Sequence, residues 1–112
     1  MASGLYGITF LNALKNDLAL DLDDTTADRF KAMLVTSSYT PNFGTHDFKS
    51  DVTNEVSGTG YDAGGKSLTS VTLTQSGGTI TFDAADLTWA SSTITARGAV
   101  VYDDSLTNDP LI

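Results

Sequence analysis

The sequence predicts a mainly β fold, a small β-sandwich or partly open barrel, with an N-terminal helix and a short central helix. Three observations predict it. Ser and Thr make up about a quarter of the 112 residues, and Thr, branched at Cβ, suits a pleated, half-exposed surface. The stretches Arg29–Thr36 (RFKAMLVT) and Leu68–Thr74 (LTSVTLT) alternate their side chains with the period of a strand. A Gly77-Gly78 pair separates Leu68–Thr74 from Thr79–Asp83 (TITFD), and two residues free to take positive φ are what a tight hairpin turn needs.

A chain of this length predicts one domain with a single modest core. Residues 1–24 read as a helical segment or arm and 25–112 as the β domain. The formal net charge of −8, with 14 acidic against six basic side chains, repels phosphate backbones and anionic headgroups. Nucleic acid and membrane surfaces are therefore excluded as expected partners. There is no cysteine, so neither a disulfide nor a thiolate zinc site can hold the fold. No apolar run approaches the roughly 20 residues of a membrane span. The opening MASGLYGITF lacks the basic lead and apolar core of a signal peptide, so the chain reads as soluble and unprocessed.

In the opening segment, Leu5, Ile8, Phe10, Leu11, Leu14, Leu18 and Leu22 recur mostly at spacings of three and four. That pattern predicts an amphipathic helix from about Gly4 to Leu20, with Ser3 as a cap, covering one face of a sheet. The sharper alternative is an arm reaching a neighbouring subunit. Asp21, Asp23, Asp24 and Asp28 follow; a calcium loop would need glycine at the sixth position, where Thr26 stands, and a Glu at the twelfth. A solvated turn fits them better.

Arg29–Thr36 is the first strand. Phe30, Ala32 and Leu34 share one face, Lys31, Met33 and Val35 the other, and the apolar later residues predict cover on both sides. After the Pro41–Gly44 turn comes the joint Thr45–Gly65. Its Phe48, Val52 and Val56 are spaced by four, which predicts the central helix, with Thr45 and Asp47 capping its start and Gly58 ending it. Beyond the hairpin, a short strand Leu87–Ala90 and a longer one, Thr93–Tyr102, are expected. Gly98 inside the latter signals a bulge or a close backbone approach, and Arg97 is expected to pair with an Asp. Leu111 and Ile112 read as the start of another strand, so this end is expected to be covered by a partner or to continue in a C-terminal piece.

Catalytic chemistry finds little to work with. The single histidine, His46, is followed by Asp47, and a Ser-His-Asp arrangement assembled from distant residues remains open at this level. No strand-turn-helix nucleophile elbow accompanies it. Glu55 lies near enough to His46 on the expected helix to raise a metal site, but a hydrogen-bonded surface histidine is the commoner role. Gly64-Gly65-Lys66-Ser67 has the letters that end a phosphate loop, but a turn leading into a strand accounts for them better. The expectation is a protein that is not an enzyme, with no cofactor and no metal.

The succession FKAMLVTSSYTPNFGTHDFKSDVTNEVSGTGYDAGGKSL, followed by DLTWASSTITARGAVVYDD and DPLI, resembles a family of small structural proteins of tailed bacteriophages. The likeness runs from about Phe30 to Ile112. It implies a head decoration or minor capsid protein that binds the outer face of the assembled shell and stabilises it, and a location on the virion exterior after synthesis in the host cytoplasm. The implied partners are the major capsid protein and neighbouring copies of the chain itself. Tyr39, Phe43, His46, Phe48 and Tyr61 are the candidate interface residues, since aromatic side chains anchor interfaces. The alternatives are a tail or head-tail component, or a virion-displayed module that binds host-surface glycans on a platform of Trp89, Tyr61 and Tyr102.

Overall fold

A computed structural model describes residues 1–112. The protein is mainly β, with two antiparallel sheets and one short α-helix. The first sheet joins β1 (Phe30–Val35), β2 (Lys66–Ser67) and β5 (Gly98–Asp103) in the order β2-β1-β5. The second is the hairpin of β3 (Thr72–Ser76) and β4 (Thr79–Asp83).

Strand β1 is where its alternation placed it, and apolar residues cover both of its faces. Met33 and Val35 join Val100, Tyr102, Tyr6, Tyr39 and Leu111 in one cluster, while Phe30 joins Val71 and Ile112 in another. Phe82 of the hairpin meets Phe30 edge-on at 5.5 Å between ring centres and so ties the second sheet to the first. The hairpin turns at Gly77 and Gly78, with φ of 55° and 83°. Two positive values in succession match the right-handed strand twist, and glycine adopts them without a Cβ clash.

Helix α1 spans Gly7–Leu14, shorter than the expected Gly4–Leu20. Asn16 takes a left-handed conformation, φ 62°, and ends it as Asn can. Its N-cap is Tyr6 rather than Ser3, and the Gly7 amide donates to Phe43 O at 2.9 Å. The helix does cover the first sheet's surroundings in cis: Tyr6 belongs to the first cluster and Phe10 packs on the second.

The expected central helix does not form. A single 3₁₀ turn, Lys49–Asp51, stands there, and Val52 is already extended with ψ 122°. Beyond it, Asn54 O accepts from the Thr36 amide, Glu55 bridges to Val35, and the Val56 amide donates to Leu34 O. The end of β1 thus offers hydrogen bonds that a β-branched segment accepts more readily than a helix does. The caps differ as well. Asp51 Oδ2 accepts the amides of Asp47 and Phe48, at 3.0 and 3.2 Å.

Three further expectations change. The Leu68–Thr74 run is divided, because Ser70 sits at φ 52° between β2 and β3. Leu87–Ala90 pairs with no strand, and Trp89 O accepts the Ser92 hydroxyl within a turn. The long last strand begins only at Gly98; upstream, Thr93 makes an isolated bridge to Thr59. No backbone crowds Gly98 as expected; a Cβ built there would instead lie 2.6 Å from the side-chain Sδ of Met1. Pro110, Leu111 and Ile112 are buried within the chain, and Leu111 bridges to Tyr102.

Candidate functional site

The five candidate interface residues divide by burial. Tyr39 and Tyr61 are buried, with 2% and 8% of their surface exposed, while Phe43, His46 and Phe48 are half-buried. Tyr39 and Tyr61 are therefore corrected from surface anchors to internal hydrogen-bonding residues, because each hydroxyl has protein partners that hold the ring inward.

Around Tyr39 the partners form a chain. Tyr6 and Tyr39 join hydroxyl to hydroxyl at 3.0 Å, and Tyr39 Oη lies 3.0 Å from His46 Nδ1. The Asn42 amide also reaches Nδ1, at 3.2 Å. A backbone N–H can only donate, so Nδ1 is the acceptor, Tyr39 donates to it and Tyr6 donates to Tyr39. His46 is thereby engaged by a tyrosine and a backbone amide, not by a serine. Phe43 packs edge-on against Tyr6 at 5.2 Å between ring centres. This loop is the seat on which the N-terminal segment rests.

Around Tyr61 a second network shapes the glycine-rich end of the joint. Glu55 Oε1 accepts the Tyr61 hydroxyl and the Gly64 amide, each at 2.7 Å, and Tyr61 Oη accepts the Leu34 amide at 2.9 Å. Tyr102 donates to Gly64 O at 2.6 Å. The turn is pressed so closely on β1 that a Cβ at Gly65 would lie 1.9 Å from Ala32 O. Glu55 is a clamp for this turn, and its carboxylate does not converge on His46. No group of three or more His, Asp and Glu side chains is arranged to hold a metal ion.

The rings proposed for a glycan platform do not share an open face. Tyr102 is 1% exposed and Tyr61 is buried, while half-buried Trp89 stacks obliquely on Tyr61 and lies under the Lys66 ammonium.

Electrostatics hold the acidic loops together. Arg29 is the arginine that pairs: Nη1 meets Asp24 Oδ2 at 2.8 Å and Nη2 meets Asp103 Oδ2 at 3.0 Å. Asp103 is fully buried, and its other oxygen accepts the Ser105 amide and hydroxyl. Arg97, expected to pair with an Asp, makes no ion pair. The Thr26 hydroxyl and amide, with Arg29, hold the Asp24 carboxyl down to about 2. Burial and the adjoining Asp51 carboxyl push Asp47 above the usual carboxylate range, whereas the amides of Asp47 and Phe48 pull Asp51 below it.

What the sequence did not single out is the exposed apolar surface of the N-terminal segment. Leu5, Leu11 and Leu14 are 63%, 54% and 88% exposed. Meanwhile Thr9 of the same helix is buried, its hydroxyl without a hydrogen-bond partner. Met1 to Asn16 carries one charged side chain, Lys15, so this apolar surface is also a weakly charged one. The mismatch between the helix's inward Thr and outward Leu was the available signal. No helix is long and apolar enough to cross a membrane. No family model, curated protein or solved structure matches the chain.

Proposed function

We propose that the protein is a structural component of a tailed-bacteriophage virion, a head decoration or minor capsid protein that binds the assembled shell from outside. The observation that carries this reading is the trio Leu5, Leu11 and Leu14, held out to solvent on a segment almost free of charge. Leu11 and Leu14 stand three residues apart on one face of α1, and exposed apolar side chains that share a face mark a contact with another macromolecule. The resemblance of Phe30–Ile112 to phage structural proteins supplies the kind of partner: the major capsid protein, with neighbouring copies of this chain beside it.

In this reading the two sheets are the halves of a small sandwich, supported by the Phe30–Phe82 contact between them. Half-buried Phe43 packs against Tyr6 of the N-terminal segment, and with half-buried His46 and Phe48 it completes the contact surface. A protein that binds only assembled shell favours assembly by mass action, and symmetric copies add avidity.

The test is co-sedimentation of the purified protein with assembled, undecorated shells, followed by reconstruction of the whole particle. The protein is expected to pellet with shells and to leave the pellet when Leu11 and Leu14 are both replaced by Ser. Density for the chain on the tail, or no co-sedimentation, would overturn the reading.

A further inference from the structure

Helix α1 is seated on a loop whose closure depends on one unprotonated nitrogen. The loop Tyr39–His46 folds back on itself through Asn42, whose carbonyl accepts the His46 amide at 2.9 Å and whose side-chain oxygen accepts the Gly44 amide at 3.0 Å. A third tie is the Asn42 amide, which donates to His46 Nδ1. The same Nδ1 accepts the Tyr39 hydroxyl, and the imidazole stacks on the Tyr39 ring with 5.8 Å between centres. The start of α1 is fastened to this loop at two points: the Tyr6 hydroxyl bonds to Tyr39, and the Gly7 amide donates to Phe43 O.

Counted in hydrogens, the arrangement fits only the neutral ring. Tyr6 donates to Tyr39, while Tyr39 and the Asn42 amide both donate to Nδ1, so all three donors have an acceptor. A proton on Nδ1 turns that acceptor into a donor. The imidazole could then donate to Tyr39 and Tyr39 to Tyr6, but the Tyr6 hydroxyl has no second partner and its residue is 4% exposed. The Asn42 amide would face another N–H. Two donors lose their acceptors at once, and one of them is buried.

Four titratable groups are linked to the ring: Tyr39 and Tyr6 on one side, and Asp47 and Asp51 of the turn that follows. Neither aspartate is ion-paired with Lys or Arg, and the Lys49 ammonium of that turn lies 3.9 Å from Asp109 instead. The amides of Asp47 and Phe48 hold Asp51 below the usual carboxylate range, and charge on His46 adds a smaller pull. Carboxylates without a basic partner favour an imidazolium. They supply no acceptor to the Asn42 amide or the Tyr6 hydroxyl.

We propose that His46 is an acid-released latch on helix α1: proton uptake at Nδ1 opens the loop Tyr39–His46 and frees Tyr6–Leu14 from the first cluster. The six paired residues of β1 and β5 lie outside the loop and stay in place. Imidazoles gain this proton between about pH 8 and 5. Because the seat is built on the unprotonated ring, seating and proton uptake oppose each other. The seat is complete in neutral solution and is lost as pH falls. The latch goes beyond the virion reading and holds for the chain alone.

The test is amide exchange and imidazole nitrogen NMR on the isotope-labelled 112-residue protein. At the neutral end, Nδ1 should carry no hydrogen. From about pH 8 to 5, Gly7 amide protection, corrected for the intrinsic pH dependence of exchange, should fall at least about tenfold. The fall should follow the His46 titration, while the β1 and β5 amides keep their protection. His46→Gln offers an acceptor and takes up no proton, so Gly7 should stay protected throughout. Tyr6→Phe removes one of the two stranded donors and should shrink the fall at least about threefold, which decides the matter if the Gln side chain fails to close the loop. A hydrogen on Nδ1 in the seated protein, or Gly7 protection that ignores the His46 titration, overturns the proposal. So does a fall that persists in His46→Gln, as titration of Asp47 or Asp51 would give, or one undiminished in Tyr6→Phe. Loss of β1 and β5 protection in step with Gly7 overturns it equally.

Discussion

Glu55 and Tyr61 are joined by a 2.7 Å hydrogen bond in which the phenol donates to the carboxylate, and the same phenol oxygen accepts the Leu34 amide of β1 at 2.9 Å. One carboxylate therefore links the strand, the tyrosine and, through the Gly64 amide, the glycine-rich turn. Removing it leaves two donors without their acceptor. Glu55→Ala should cost about 2–4 kcal/mol and Glu55→Gln about half as much, since the amide oxygen can still accept. Urea unfolding followed by near-ultraviolet circular dichroism measures both.

Alkaline solution should unfold the protein by way of its tyrosines. Burial raises Tyr102 to about 12 and also raises Tyr6 and Tyr61, whose hydrogen bonds to Tyr39 and Glu55 add to the effect. The folded values exceed that of an exposed tyrosine, about 10. Native protein therefore holds these protons more tightly than unfolded protein does. The stabilisation is complete below the unfolded value and is lost as pH rises through the folded ones. Tyrosinate absorbance from Tyr6, Tyr61 and Tyr102 should rise together with loss of near-ultraviolet circular dichroism; an earlier rise for these three, with the fold intact, would contradict it.

Acid acts on the other side through Asp24. Its carboxyl is held at about 2 by Thr26 and Arg29, below its ordinary value of about 3.9. Stability from this group is present above the unfolded value and is lost as pH falls toward 2. Asp24→Asn should flatten the stability profile between those limits and leave the alkaline limb unchanged. Thermal melts across the acid range check this.

Glycine substitutions should separate close packing from turn geometry. Gly65→Ala drives a methyl into Ala32 O, 1.9 Å away, and should cost several kcal/mol or prevent folding by separating β1 from β2. Gly77→Ala meets nothing within 4 Å and should cost about 1 kcal/mol through its positive φ alone. Denaturation midpoints of the two variants provide the comparison.

Legibility in the sequence followed the range of the forces involved. Strand β1 and the Gly77-Gly78 hairpin were readable because alternation and positive-φ glycines act within a few residues. The joint Thr45–Gly65 was misread as helical because the spacing of Phe48, Val52 and Val56 fits a helix when the segment is considered alone. Its hydrogen bonds to Leu34 and Thr36 lie outside any local window. The candidate site was legible in the same measure. Phe43 could be named as a candidate, but its contact with Tyr6 could not, and the inward turn of Tyr39 and Tyr61 depends on partners 33 and 27 residues away in Tyr6 and Leu34.

The sequence by itself determined a mainly β chain, its acidic surface, its first strand and its hairpin, because composition and short-period patterning are sufficient for these. Only the tertiary structure decided which arginine is paired and which is free, where the glycine-rich joint is fastened, and which leucines face solvent. Each of those depends on where segments distant in sequence meet. Buried polar groups such as Asp103 and Tyr61 must find partners across the fold, and the partners they take leave Arg97 and the outer face of the N-terminal helix open.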